Sequence, residues 1–158
     1  MRIRRAADSD ADTLTAVAHA AKRHWGYPER WIGLWREQLT LTPEYLRANE
    51  VHVAEEDPAS EPFAFYALAP GYLGRGALDH LWVRPERMGE GVGATLFRHA
   101  LERARELGHA GIEIESDPNA LGFYLAAGAR QVGESSGEID GEPRLLPVLI
   151  ADARGGAT

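Results

Sequence analysis

Three glycines at alternate positions form the most informative segment of this 158-residue chain. Gly89, Gly91 and Gly93 follow a β-prone stretch that ends at Val83, and they open an amphipathic stretch that predicts a helix to about Leu107. Glycine lets the backbone approach a ligand closely, and the first turn of a helix presents unpaired N–H groups with partial positive charge. The segment therefore predicts a cradle for an anion such as a pyrophosphate.

Two other nucleotide-binding loops do not match this segment. A P-loop requires Lys-Ser or Lys-Thr after its last glycine, but here Ala94-Thr95 follows and the only lysine of the chain is Lys22. A dinucleotide-binding fold requires Gly-x-Gly-x-x-Gly near the start of a parallel βαβ unit, whereas this loop follows strands that read as antiparallel. Both classes are disfavoured, and a flexible turn remains the alternative to an anion cradle.

A second segment accompanies the glycine loop. It runs from Ser116-Asp117-Pro118-Asn119-Ala120 through Phe123-Tyr124 to Gly128-Ala129. Pro85-Glu86 and the run Met88-Gly-Glu-Gly-Val-Gly93 resemble the acetyl-CoA signature of the GNAT superfamily of N-acetyltransferases, and the second segment resembles that family's strand–helix–strand element. Two separated motifs in the correct order make the resemblance specific.

The resemblance covers about residues 50–150 and implies an α/β (α+β) fold. The expected architecture is a mixed, mostly antiparallel sheet of six to seven strands flanked by about four helices. The chain length suits one domain, placed at residues 1–152, before a disordered tail at 153–158.

Local patterns outside the two motifs predict further elements. Asp8 or Ser9 is expected to cap the first helix, and Thr42 a short third helix that begins with proline. A second helix is predicted over Glu29–Leu39, with Trp31, Leu34 and Trp35 on one side. The polar, glycine-rich stretch Glu134–Pro143 predicts a loop.

The resemblance implies that acetyl-CoA is the acetyl-donor cosubstrate. The backbone of Leu81, Trp82 and Val83 is then expected to pair with the pantetheine arm as an added strand would. Asn119, with Asp117 as the alternative, is expected to bond the pantetheine amides, and Phe123 to pack beside the cofactor. The expected pyrophosphate loop consists of Met88, Gly89, Glu90, Gly91, Val92, Gly93 and Ala94.

Met88 departs from the family pattern, which usually has Arg or Gln at this position. The charge or amide of that residue is therefore missing from the phosphate loop, although backbone N–H groups remain to bind a pyrophosphate. Arg84, Arg87 and Arg98 are the candidates that would replace it.

Amide-forming acyl transfer requires a neutral amine, a polarised carbonyl and a protonated leaving thiolate. By resemblance, Tyr124 occupies the general-acid position. The alternative is that Tyr124 is a structural residue of the hydrophobic core. Asp79 and His80 lie in the strand before the loop, where the family often places a base. Alternation puts their side chains on opposite faces, so only one is expected to face the site.

Aromatic residues are concentrated near the N-terminus, in the region that often walls the acceptor side in this family. His24, Trp25 and Tyr27 are the predicted substrate-binding residues, since aromatic rings can hold an apolar or cationic amine. Trp31 and Trp35, one helical turn apart, are predicted to belong to the core instead.

Composition excludes several other functions. The net charge of −7 disfavours nucleic-acid binding, which needs a basic face, and no apolar run is long enough for a membrane span. The chain has no cysteine and no metal-binding histidine pair, so no metal site, disulfide or thiol nucleophile is expected, and a cytoplasmic location fits. The family resemblance also allows a homodimer.

The sequence thus predicts a small N-acetyltransferase that moves an acetyl group from acetyl-CoA to a small-molecule amine by direct attack. Two alternatives stay open. One is a non-catalytic module that senses acyl-CoA, and the other is an acetyltransferase acting on a protein N-terminus or lysine, which would need an open groove.

Overall fold

The computed structural model describes residues 1–153, and within them the chain forms seven strands and five α-helices. The strands are β1 (Arg2–Arg5), β2 (Glu50–Glu55), β3 (Ala64–Pro70), β4 (Gly76–Val83), β5 (Gly111–Glu115), β6 (Arg130–Ile139) and β7 (Glu142–Asp152). The helices are α1 (Ala11–His24), α2 (Glu29–Leu34), α3 (Pro43–Ala48), α4 (Val92–Glu106) and α5 (Leu121–Ala126).

The strands form one sheet in the order β1-β2-β3-β4-β5-β7-β6. Strands β5, β7 and β6 pair in antiparallel fashion, whereas β4 and β5 are parallel. The β4–β5 pairing covers only Gly76 with Ile112 and Ala77 with Glu113, although β4 continues to Val83. The predicted mixed, mostly antiparallel sheet is confirmed, and the described helices number five rather than about four.

The described chain divides into two compact units. The first contains Met1–Ala67 and His80–Leu96, and the second contains Leu68–Asp79 and the chain from Phe97 onward. The glycine loop belongs to the first unit, and the Asn119–Tyr124 segment belongs to the second.

The entry into α1 differs from its prediction, because neither Asp8 nor Ser9 caps the helix. A 3₁₀ turn at Asp8–Asp10 precedes it, and Asp10 accepts the N–H of Ala7 at 2.7 Å. Arg4 binds both carboxylate oxygens of Asp10 and also donates to the buried Glu55. Burial alone would raise the pKa of Asp10, but the bonds from Arg4 and Ala7 outweigh it and lower that pKa.

Helix α2 ends at Leu34, five residues before its predicted end at Leu39. Beyond it the chain continues as turns. There the Arg36 N–H donates to the carbonyl of Gly33, three residues earlier, and not to the carbonyl four residues earlier as in an α-helix. Leu34 is 55% exposed, so it does not share the burial of Trp35, which is 8% exposed. The short third helix is confirmed: Thr42 Oγ1 accepts the Tyr45 N–H at 3.1 Å.

The predicted loop at Glu134–Pro143 is wrong, because β6 and β7 form a long hairpin through it. Ile139 pairs with Glu142 across a two-residue turn, and Asp140 and Gly141 both have positive φ, at 54° and 78°. Asp-Gly favours this turn type, since Gly and Asp tolerate such φ values.

The described chain also runs one residue past the predicted domain end. Ala153 is buried, and its N–H donates to the carbonyl of Ala110. Residues 154–158 of the predicted tail lie outside the described residues.

Candidate functional site

The glycine loop connects β4 to α4 in the first unit. Gly89 and Gly91 both have φ of +83°, and a Cβ atom built on either would meet no atom within 4 Å. Residues other than glycine are strained at such φ values. Glycine is therefore required here by the backbone conformation and not by a lack of space for a side chain. The carbonyl of Gly91 accepts hydrogen bonds from the N–H and Oγ1 of Thr95, which starts the helix. The first turn of α4 thus begins directly after two exposed glycines.

The segment predicted to pair with pantetheine lies at the end of β4. Leu81, Trp82 and Val83 are all half-buried, and they lie beyond Ala77, where the pairing of β4 with β5 ends. Directly after them, the Arg84 N–H bonds to the carbonyl of the residue that precedes β3, at 2.9 Å.

Arg87, a candidate to replace the charge missing at Met88, is bound to two carboxylates. Its Nε donates to Glu90 at 2.9 Å, another guanidinium nitrogen donates to Glu56, and the guanidinium carbon lies 3.8 Å from the centroid of the Phe63 ring. The hydrogen bond to Glu56, followed by that to Glu90, raises the pKa of Arg87. Its charge is therefore already paired beside the loop, and we do not assign it to a pyrophosphate.

Alternation along β4 places the two predicted bases on opposite faces. Asp79 is exposed, whereas His80 is 9% exposed and lies near the rings of Tyr45 and Phe65, at centroid distances of 5.7 and 5.8 Å. The indole N–H of Trp82 donates a hydrogen bond to His80 Nδ1 at 2.9 Å. Because an indole nitrogen only donates, His80 Nδ1 is the unprotonated nitrogen, and the neutral imidazole carries its proton on Nε2.

Lys22 contributes a buried ammonium to the aromatic region, which sequence reasoning missed. The residue is 8% exposed, and its Nζ lies 4.1 Å from the Trp35 ring centroid, 5.0 Å from that of Tyr27 and 5.9 Å from that of Trp82. The sequence did hold a signal, since Lys22 follows Ala18 by four positions and so lies on the apolar side of α1. We call Lys22, Tyr27, Trp35 and Trp82 the lysine cage.

The three predicted substrate-binding residues do not form one cluster. Tyr27 belongs to the lysine cage, and its ring also stacks on Trp31 at a centroid distance of 5.9 Å. His24 and Trp25 are exposed and contact each other edge-on, at 5.4 Å, where α1 ends. Trp35 is buried, as its predicted core role requires, whereas Trp31 is half-buried.

In the second unit, Tyr124 lies on α5 and is 7% exposed. Its ring meets Phe123 and Phe97 edge-on, with centroids 5.0 and 5.6 Å away. Burial, and in second place the negative charge of Asp117, raises the pKa of the Tyr124 hydroxyl well above its usual range. The hydroxyl therefore stays protonated at neutral pH and is able to donate a hydrogen bond.

Asn119 and Asp117, the alternatives for binding pantetheine amides, hydrogen-bond to each other. Asp117 Oδ1 accepts from the backbone N–H and the side-chain amide of Asn119, at 2.9 and 3.0 Å, while Oδ2 lies 3.7 Å from an Arg144 nitrogen. Asp117 thus caps the 3₁₀ turn before α5, and Asn119 is exposed at its surface. Of the two, Asn119 is the more accessible to a ligand.

A protein-family model described as the acetyltransferase (GNAT) family matches residues 14–129. The chain belongs to the GNAT acetyltransferase family. It is therefore an acyltransferase with acetyl-CoA as its acetyl donor, as the sequence resemblance implied.

Individual relatives agree with this assignment. The acetyltransferase is 28% identical over 138 residues to the peptidyl-lysine N-acetyltransferase YjaB of Salmonella typhimurium, covering 77% of this chain and 90% of that one. A GCN5-related N-acetyltransferase from Rhodopseudomonas palustris has the same fold with a TM-score of 0.76 and 19% identity, over 96% of this chain and 94% of that one. The PaiA N-acetyltransferase of Thermoplasma acidophilum, solved with coenzyme A, gives a TM-score of 0.73 at 21% identity, over 96% and 98%.

Within residues 1–153 of the acetyltransferase, no helix has both the length and the apolar character that a membrane crossing requires.

Proposed function

We propose that this acetyltransferase transfers the acetyl group to the amine of a small-molecule acceptor by direct attack on the thioester. The observation that carries the proposal is the glycine loop, in which Gly89 and Gly91 leave space where a side chain would otherwise project. A pyrophosphate needs close approach to backbone N–H groups at a helix start, and this loop offers both. Acetyl-CoA supplies the activated acyl group and a thiolate as leaving group.

In this proposal, different segments of the chain bind different parts of acetyl-CoA. Met88 to Ala94 would hold the pyrophosphate through backbone N–H groups at the start of α4. The backbone of Leu81, Trp82 and Val83 would pair with pantetheine, supported by the early end of the β4–β5 pairing. Asn119 and Phe123 would contact the pantetheine arm and its thiol end.

Tyr124 would act on the departing sulfur. A thiol ionises near pH 8.5, whereas the pKa of this buried tyrosine lies well above the ordinary value of about 10. Complete proton transfer from Tyr124 to a thiolate would therefore be uphill. We assign to Tyr124 the donation of a hydrogen bond to the negative charge that develops on sulfur, which stabilises the transition state without full transfer.

Asp79 is the better of the two candidate bases. His80 would have to accept a proton at Nδ1, and this would displace the hydrogen bond that Trp82 donates there. Asp79 lies on the exposed face of β4, where an acceptor ammonium or a water molecule can reach it. In this proposal Asp79 takes the proton of the amine, directly or through water.

The choice of base can be tested by two matched substitutions. We expect Asp79→Asn to lower kcat/KM at neutral pH by about tenfold or more. His80→Asn, which keeps a side-chain acceptor for the Trp82 indole, should lower kcat/KM less. The reverse order of effects would assign the base to His80 instead.

The proposed function is tested by measuring the rate at which the free thiol of CoA is released from acetyl-CoA. Incubated with acetyl-CoA and a panel of small primary amines, the protein should release CoA at a rate that depends on which amine is present, with the N-acetyl product seen by mass spectrometry. Tight binding of acetyl-CoA with no amine-dependent thiol release would instead support the acyl-CoA-sensing alternative.

A protein acceptor is the second candidate, because the relative YjaB carries the description of a peptidyl-lysine N-acetyltransferase. Lysine-containing peptides therefore belong in the same panel. The proposal for a small acceptor requires that kcat/KM be higher for free amines than for the lysine-containing peptides. Cytoplasmic location and homodimer formation stay predictions of the sequence.

A further inference from the structure

An acidic residue lies inside the glycine loop. Glu90 is exposed and stands between Gly89 and Gly91, both of which have φ of +83°. The proposed function places the negative charges of a pyrophosphate at this same loop. A carboxylate attached there opposes the binding of an anion, because like charges repel at short range. The loop therefore carries a group that weakens the binding of its proposed ligand unless the charge of that group is balanced.

Arg87 supplies the balancing charge. Its Nε donates a hydrogen bond to Glu90 at 2.9 Å, across three positions of the chain. Hydrogen bonds between an ionised donor and an ionised acceptor are stronger than those between neutral groups. The Glu90 carboxylate is thereby held beside a cation instead of turning freely on the exposed loop.

Arg87 is itself fixed by other contacts. Its guanidinium carbon lies 3.8 Å from the centroid of the buried Phe63 ring, and its Nη2 donates to Glu56, which follows β2. The other carboxylate oxygen of Glu56 lies 3.8 Å from the N-terminal ammonium of Met1. All of these residues belong to the first unit. Arg87 would have to break two ion pairs to contact a pyrophosphate directly, whereas its observed orientation already presents Nε to Glu90.

We propose that Arg87 is a positioning residue for the donor: by pairing with Glu90 while it remains bound to Glu56, it neutralises and holds aside the acidic group of the glycine loop, so that a pyrophosphate can approach the backbone N–H groups. This inference rests on the proposed function and explains how its donor site admits an anion. It differs from direct phosphate binding by Arg87, because a direct contact would be lost whether or not Glu90 is present.

A double-substitution cycle separates these two roles. The dissociation constant for acetyl-CoA is measured by calorimetry, at low and at high salt, for the unmodified protein, Arg87→Gln, Glu90→Gln and the variant with both substitutions. Arg103→Gln is the matched control, because Arg103 also pairs with a glutamate three positions later, Glu106, near the other end of α4. Thermal unfolding without ligand shows whether each variant is folded.

We expect Arg87→Gln to raise the dissociation constant about tenfold at low salt, because the released Glu90 carboxylate then stands unbalanced beside the phosphates. This increase should shrink at high salt, where mobile ions screen the repulsion. Adding Glu90→Gln should restore the affinity to within about twofold of that of the unmodified protein, since it removes the repelling charge. Arg103→Gln should leave the affinity unchanged.

A double variant that binds as weakly as Arg87→Gln would overturn the inference, and so would an unchanged affinity in Arg87→Gln. In both cases amine-dependent thiol release by the unmodified protein would leave the proposed function intact. Glu90→Gln alone should bind acetyl-CoA at least as tightly as the unmodified protein, and weaker binding would contradict the inference even if Arg87→Gln did not fold. No binding of acetyl-CoA by the unmodified protein would overturn both the inference and the proposed function.

Discussion

Tyr124→Phe is expected to lower kcat about 100-fold while the dissociation constant for acetyl-CoA changes by less than about twofold. The substitution removes one hydroxyl and keeps the ring that contacts Phe97 and Phe123. If that hydroxyl stabilises the departing sulfur, its loss acts on the transition state and not on ground-state binding. Steady-state kinetics with thiol detection and calorimetry with acetyl-CoA measure the two quantities separately.

Tyr72→Phe provides the matched control for this experiment. Tyr72 is 78% exposed in the β3–β4 connection and lies outside the proposed machinery, so its substitution should leave kcat unchanged. Equal kcat values for Tyr124→Phe and the unmodified protein would remove the assigned role and return Tyr124 to a core tyrosine. A parallel loss of acetyl-CoA affinity would point to a structural role of the hydroxyl instead.

The sequence predicted the place of the glycine loop in the fold but not the lysine cage, because the signals for the loop are local. Glycine spacing, strand propensity and helix periodicity all act over a few residues, and together they placed the loop at Gly89–Gly93 between β4 and α4. The lysine cage depends on a tertiary contact between α1 and β4, since Lys22 and Trp82 are far apart in sequence. Periodicity shows that Lys22 is on the apolar side of its helix but not which rings it meets.

The β6–β7 hairpin was missed for a different reason. Most residues of β6 are exposed, so the strand lacks the alternation of apolar and polar residues by which a half-buried strand is recognised. Its only local signal is the turn dipeptide Asp140-Gly141, and the polar residues around it read as a loop. The polarity that hides a strand in the sequence is thus a consequence of its place at the edge of the sheet.

The His80–Trp82 hydrogen bond shows a similar limit within a single strand. Alternation along β4 predicts correctly that Asp79 and His80 point to opposite faces, and residue types alone favour histidine as the base at neutral pH. Only the position of the indole N–H reveals which imidazole nitrogen is protonated. Because the indole N–H points at His80 Nδ1, we propose Asp79 as the base, although residue types alone favour histidine.

Gly91→Val is expected to raise the dissociation constant for acetyl-CoA about 100-fold. A valine at φ of +83° is strained, and its side chain would fill space in which the proposed pyrophosphate meets the backbone N–H groups of α4. Loss of one or two hydrogen bonds to a charged group, at about 1.5–3 kcal/mol each, accounts for a change of this size. Calorimetry measures the affinity, and the rise in unfolding temperature produced by acetyl-CoA should largely disappear.

Gly108→Val separates the effect of the ligand from the effect of backbone strain. Gly108 lies just beyond the other end of α4 with φ of +85°, and a Cβ atom there also meets nothing within 4 Å. The two variants should therefore lose similar free energy of unfolding, about 1–3 kcal/mol, because each forces valine into a left-handed conformation. Only Gly91→Val should lose acetyl-CoA affinity, and the milder alanine pair repeats the comparison if valine prevents folding. Unchanged affinity at position 91 would mean that this helix start does not receive the pyrophosphate, and the proposal for donor binding would then fail.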